Sequence, residues 1–259
     1  MSVITISRGS FSGGKALAAC LAGKLGFRSI DRDLIVERAA AYGASQEELR
    51  DAVQKPPRFL ERFQHKRYVY LALIQAALAE EVREGRAVYH GNAGHLLLKG
   101  APILRVRVIA PFQARVAECQ ARLRITGEEA AAQIQRMDQD RRKWTHYLYG
   151  VDWNEPSLYD LVVNLETMNI QDACEAVATL ACRGRYYDRA AFANLALASR
   201  VKASLAVNPS TTDVEVEVLA DGPAVTIHGR FSHAAQIEAV ERVARNIPGA
   251  DVVTVETAW

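Results

Sequence analysis

The stretch that most constrains this chain is its beginning. Val3-Ile4-Thr5-Ile6 is a short, largely β-branched run, and Ser7-Arg8-Gly9-Ser10-Phe11-Ser12-Gly13-Gly14-Lys15-Ala16 follows it directly. Leu17, Cys20, Leu21 and Leu25 then recur on one helical face. A strand, a glycine-rich turn, a lysine and a helix start together make a phosphate cradle. The glycines let backbone N–H groups converge on an anion, the helix start adds its dipole, and the lysine adds a mobile charge. Gly9 to Lys15 meets the spacing G-x-x-x-x-G-K, but Ala16 stands where a Ser or Thr hydroxyl would reach Mg²⁺. The plainer alternative is a Gly/Ser turn in an ordinary βα unit, with Lys15 solvated.

Composition narrows the setting. With 259 residues the chain holds one large or two smaller domains. A net charge of +2 gives no whole-protein case for nucleic-acid binding. Cys20, Cys119, Cys174 and Cys182 are scattered without a C-x-x-C pair, which fits reduced thiols rather than a disulfide frame or a zinc site. The start runs straight into a strand, so no signal peptide is expected. No apolar run approaches the roughly 18 residues that span a bilayer. The expected compartment is the cytoplasm.

Beyond the first helix, Phe27 to Ile30 is a second short strand ending in Asp31-Arg32-Asp33, a charged triplet at the end where open α/β sheets place ligand groups. Leu34 to Tyr42 follows as a helix, and Ser45-Gln46-Glu47-Glu48 has the form of a helix start. Pro56-Pro57 breaks the chain before a stretch rich in aromatics and bases, Phe59 to Arg67, which includes Arg62; it is either a solvated face beside packed aromatics or part of a substrate site. A long helix runs from about Tyr68 to Glu84. Ala87 to His90 is a third strand, opening into Gly91-Asn92-Ala93-Gly94-His95, where glycine permits close approach by a ligand or another element. On the fourth strand, Ile103 to Ala110, Arg105 and Arg107 alternate with apolar residues, so one face is wet or ligand-lined.

Thr126-Gly127-Glu128-Glu129 is a capping box opening a helix that carries Asp138, Arg141 and Arg142. These charges are either ion pairs along the helix or a mobile arginine-bearing element that closes on phosphates. Tyr159 to Asn164 is a fifth strand and Ile170 to Cys182 a helix. Residues 1–183 therefore predict an α/β domain, a parallel sheet with helices on both faces. Residues 184–194 are a polar linker. Residues 195–259 change to the order αββαβ, a small α+β module with a hairpin turning at Asp221-Gly222-Pro223.

The first 183 residues resemble the cytidylate-kinase-like family of P-loop nucleoside-monophosphate kinases. The likeness is carried by Ile4 to Arg8, Ser12 to Lys15, Asp31 to Ile35, Pro57 to Arg62, the Gly91 turn, Arg105 to Pro111, and Asp152-Trp153 before Tyr159 to Val162. It implies a P-loop NTPase-type sheet, ATP with Mg²⁺, and a small phosphorylated acceptor such as CMP. The donor's phosphates would lie on Gly9, Ser12, Gly13, Gly14, Lys15 and Ala16. The acceptor would meet Asp31, Arg32, Arg62, Gly91 and Asn92. Lys15, Arg141 and Arg142 would act on the transferring group. Two positions depart from the family pattern: Ala16 lacks the metal-binding hydroxyl, and Asn92 replaces an arginine. Residues 195–259 resemble a BON domain, through Ser199 to Ala203, Asp221-Gly222, Val225 to Gly229, Ala235 to Val243 and Ile247 to Gly249. That resemblance implies a phospholipid surface or a small ligand as partner. Three readings follow: a kinase, a nucleotide-binding sensor signalling through the second module, and a tethering protein in which that module dominates.

Overall fold

A computed structural model describes residues 1–54, 64–91 and 93–257. In chain order the elements are β1 (Val3–Arg8), α1 (Gly14–Leu25), β2 (Arg28–Ile30), α2 (Arg32–Ala40), α3 (Gln46–Gln54), α4 (Gln64–Val82), β3 (Ala87–Tyr89), α5 (Gly94–Leu97), β4 (Leu104–Ile109), α6 (Phe112–Leu123) and α7 (Gly127–Tyr149). They continue with β5 (Leu161–Asn164), α8 (Ile170–Ala181), α9 (Arg189–Val207), β6 (Val216–Asp221), β7 (Ala224–Gly229), α10 (Ala234–Arg245) and β8 (Val252–Thr257). They form two compact units. One is built from Met1–Arg32, the described part of 53–56, and Gly85–Tyr187; the other takes Asp33–Ala52, the described part of 57–84, and Asp188 onward. Sequence similarity and compactness thus divide the chain differently, because α2, α3 and α4 count with the C-terminal segment.

In the first unit a five-stranded sheet runs in the order β2-β3-β1-β4-β5, and every pair is parallel. β1 is central and buried on both faces, as parallel strands under helices are. Its two faces differ. Ile4 and Ile6 join Val106, Val108 and Val163 in a core with Leu17, Ala18 and Leu21 of α1 and Ala173, Val177 and Ala178 of α8. The opposite face is polar. The register sets Thr5 beside Tyr89 and Arg105, and Ser7 beside Arg107. α5 lies over this face, with Ser7 Oγ 3.0 Å from His95 Nδ1. The connections from β1 and β4 leave in opposite directions across the sheet, so the crevice of a doubly wound fold opens at the carboxyl ends of these two strands.

Local chemistry sets the helix ends that matter here. Thr126 Oγ1 accepts from the Glu129 amide at 3.3 Å while Glu129 Oε2 accepts from the Thr126 amide at 2.8 Å, closing the expected capping box at the start of α7. Ser45 Oγ accepts from the Glu48 amide at 3.1 Å and starts α3.

The second unit packs α4 along α9, and α9 against a three-stranded sheet ordered β6-β7-β8. β6 and β7 form an antiparallel hairpin and β8 pairs parallel to β7, giving the expected αββαβ order. Val201, Leu205, Val225, Ile227 and Val240 fill its core. Tyr68 of α4 fastens the early helices to this sheet: its hydroxyl accepts from the Val216 amide at 2.9 Å and donates to the Val216 carbonyl at 3.2 Å. Two sequence expectations change here. The stretch 184–194 is not all linker, because Asp188 caps α9 by accepting from the Ala191 amide at 2.9 Å and the helix begins at Arg189. α9 is also long and apolar enough to cross a membrane by length and composition, against the expectation of no such run; half of it is buried inside this unit.

Candidate active site

The phosphate loop leaves β1 at Gly9 and enters α1 at Gly14. Gly13 takes the N-cap position with φ 84°, a left-handed conformation that glycine adopts without strain. Phe11 is also left-handed, at φ 59°, an uncommon state for a residue with a side chain. Inside the loop Ser12 Oγ donates to the Gly9 carbonyl at 2.9 Å and lies 3.4 Å from the Val108 carbonyl. No side-chain cap of α1 is present among the described residues, and Lys15 and Ala16 are exposed on its first turn. A helix start of this form is the geometry that the spacing predicts for an anion site.

Arginines surround this loop. Arg141 Nη1 donates to the Arg8 carbonyl at 2.6 Å. Arg115 Nε donates to the Ser10 carbonyl at 2.7 Å, and its Nη2 pairs with Asp138 at 2.6 Å. The same carboxylate receives the Ser10 amide at 3.5 Å. Arg107, 6% exposed, reaches Asn154 Oδ1 at 2.7 Å. Trp153 orders two of these cations. The Arg107 and Arg141 guanidiniums stand 4.1 and 4.7 Å from its ring centroid. Between them lies a cavity of about 350 Å³, lined in part by Gly9, Ser12, Arg107, Arg115, Arg142 and Trp153.

The electrostatics follow from this crowding. Burial pulls the Arg141 pKa from 12.5 to about 10; Asp138 opposes the shift, and Arg8, Arg107 and Arg115 add to it. His95, behind Arg107, is lowered from 6.5 to about 4 by burial, then by Arg105 and Arg107. His90, just past β3, is lowered by burial and by Arg8; Asp31 pulls the other way and Lys15 lowers it further. Arg141 is thus a buried cation lowered further by the cations around it, an arrangement that suits a polyanion, whose arrival would relieve the repulsion.

The arginines on α7 divide. Arg141 turns inward to the loop, whereas Arg142 lies at the cavity mouth, 64% exposed, and pairs with Asp152 at 2.7 Å. Asp138 does not pair along the helix as its spacing allows; it holds Arg115 of α6. On β4, Arg105 is tied to Asp160 at 2.7 Å and Arg107 faces the site. Asp31 and Arg32 follow β2 in half-buried positions. Gly91 lies against the Tyr89 side chain, so the close approach there comes from the preceding strand. Arg62 and Asn92, and with them the Phe59 to Phe63 stretch, lie outside the described residues. Lys66 and Arg67 serve the second unit, reaching Glu48 at 4.0 Å and the Ala52 carbonyl at 3.2 Å.

Sequence reasoning overlooked Arg115 and the roles of Arg8 and Trp153 at the loop. Their signal was present but needed the register: Arg8 ends the strand that feeds the loop, and Trp153 follows the helix that carries Arg141.

Comparison with known proteins finds matches to both parts of the chain. The sequence profile of the cytidylate kinase-like family matches residues 3–167, and that of the BON domain matches residues 194–258. A cytidylate kinase from Thermococcus sibiricus is 31% identical over 163 residues, covering 62% of this chain and 78% of its own. One from Pyrococcus horikoshii is 29% identical over 163 residues, covering 62% of this chain and 79% of its own. An uncharacterized protein from Eubacterium ventriosum shares the fold at a TM-score of 0.56 and 14% identity, covering 70% of this chain and 98% of that one.

Proposed function

The chain belongs to the cytidylate kinase-like family, and from that premise we propose that it transfers the terminal phosphoryl group of ATP to a nucleoside monophosphate, with CMP the first acceptor to test. The observation that carries this reading is the convergence of Arg107, Arg115 and Arg141 on a glycine-rich loop that presents Lys15. Phosphoryl transfer asks for positioning and charge neutralisation more than covalent help. A phosphate oxygen of the acceptor attacks the γ-phosphorus, the bond to the β-bridging oxygen breaks, and ADP leaves with a nucleoside diphosphate. Lys15 and the first amides of α1 hold the donor's phosphates. Arg141 lies on the loop where negative charge spreads in the transition state, and Trp153 fixes its plane.

The residues around the loop make a poor metal cage. Ala16 offers a methyl group, Asp138 is engaged by Arg115, and no three His, Cys, Asp or Glu side chains converge among the described residues. Mg²⁺ in this reading comes with ATP, held by its phosphates and water. Ala16 also favours a second reading, a nucleotide-binding sensor with little turnover that signals through its BON domain.

A coupled ADP-release assay over CMP, dCMP, UMP and AMP tests the proposal. Acceptor-dependent ADP release, lost in Lys15→Ala, is expected. Tight ATP binding with no release for any acceptor would replace the kinase with the sensor. Ala16→Ser should raise Mg²⁺-dependent turnover, because its hydroxyl would stand where related loops hold the ion.

A further inference from the structure

Arg8 ends β1 and makes no ion pair among the described residues. The stem runs flat over the α-carbon of Gly14, where a β-carbon would collide with it. Its Nε is shut off from solvent and has no hydrogen-bond partner among the described residues. The neighbouring charges that act on it are themselves positive, Arg32 first and then Arg122, and with burial as the largest cause they hold its pKa below the ordinary value. Arg8 in turn depresses His90 and Arg141. Taking a cation out of water among other cations is costly unless an anion completes the site.

The location tells which anion. β3 and β2 lie on the side of β1 away from β4. Arg32 opens α2 just past β2, and His90 follows β3. Arg107 and Arg115, which face the cavity, come from β4 and α6, on the other side. Arg8 therefore stands between a cation on the β2 side, Arg32, and cations on the β4 side, Arg122 and Arg141, with its stem over the start of α1. On the reading of the site as a phosphotransferase, we propose that Arg8 binds the phosphate of the acceptor and so selects phosphorylated acceptors over the corresponding nucleosides. Its guanidinium fork suits two phosphate oxygens at once, and its place in the strand rather than on α7 makes it a fixed contact.

Calorimetry on the full chain tests this with CMP, UMP and AMP against cytidine, uridine and adenosine. The variant is Arg8→Met, which keeps an apolar stem over Gly14 and removes the charge. The wild type should bind at least one monophosphate more tightly than its nucleoside by about 10-fold to 100-fold, the range of a charge-assisted hydrogen bond or two. The Met variant should lose most of that margin while its affinity for a non-hydrolysable ATP analogue stays within about 3-fold. A margin unchanged in the variant, a wild type without a margin, or a loss that falls on the ATP analogue instead overturns the assignment. Should Arg8→Met fail to fold by its circular-dichroism melt, Arg8→Lys decides: a reduced margin at unchanged melting temperature supports the fork, and an intact margin overturns it. ADP release is measured separately. A wild type that keeps the margin yet releases no ADP with any acceptor removes the kinase reading and leaves Arg8 as a monophosphate-binding residue.

Discussion

The two sheets alternate in the same way and cover their polar faces differently. In the small sheet Val216, Val225, Ile227 and Val253 point into the core, while Glu217, Asp221, Thr254 and Glu256 stand outward in water. In the large sheet the second face is just as polar, with Thr5, Ser7 and Arg107, yet these residues are buried. Alternation by itself says only that a strand has two unlike faces. What covers the polar face decides whether it is a solvated exterior or a site. The small sheet spends its apolar face on stability; the large sheet keeps a desolvated polar face under α5 and beside Trp153, where charge acts more strongly than in water.

The sharpest test of that contrast is Arg141. Its replacement by alanine should lower kcat by roughly 10²–10³, the usual loss for one transition-state donor, with KM for ATP little changed. A variant with wild-type kcat would make the arginine cluster a packing device and erase the difference between the sheets.

Acid should then separate the two faces by stability. His95 holds a lowered pKa of about 4 against 6.5 in the unfolded chain, so between those values the unfolded state binds the extra proton. Stability is full above pH 6.5, falls as pH drops toward 4, and loses nothing further to this group below that; the loss is on the order of 3 kcal/mol. His95→Asn should flatten this part of the pH profile in chemical denaturation, even if it lowers the plateau. An equally steep acid limb in the variant would sink the assignment to His95.

In the small sheet a core change should touch stability alone. Ile227→Val should cost about 0.5–1.5 kcal/mol and leave the turnover of the folded enzyme unaltered. A parallel fall in kcat at temperatures well below melting would show that the two sheets are not independent. The smallest effect belongs to Arg142→Ala. Its pair with Asp152 is exposed and worth at most about 1 kcal/mol, so kinetics and melting temperature should both stay close to wild type. A large kinetic loss there would support the two-arginine lid that the sequence implies.

Much of this was legible in the chain. The first sixteen residues carry the strand, turn and helix of the phosphate loop in order, and each does locally what its chemistry dictates. Thr126 and Glu129 announce their capping box because both partners lie within one turn. The arginines were legible only as alternatives. Arg105 and Arg107 have the same spacing, yet one meets Asp160 and the other meets Trp153 and Asn154, partners more than forty positions away. Asp138 sits within a turn of Arg141 and Arg142 but pairs with Arg115 on another helix. Long-range pairing of this kind leaves no periodic trace. The helix at Arg189 was hidden for a different reason: its polar first turn resembles a linker until Asp188 is seen capping it.

The packing of α4 against α9 has a consequence for how the chain is made. α2, α3 and α4 leave the ribosome early, but α9 and the small sheet that complete their unit come only after the whole second half of the first unit. Synthesis from Glu84 to Asp188, at roughly 5–20 residues per second, keeps Leu73, Ala76 and Ala77 waiting on the order of 5–20 s for their partner helix. The first unit waits as well, because Leu17 and Leu21 of α1 meet Ala173 and Val177 of α8 only once the chain between them is made. Folding of the second is therefore set by translation and by closing a long loop. A nascent chain that stalls after Tyr187 would display the apolar side of α4 to chaperones and to other nascent chains.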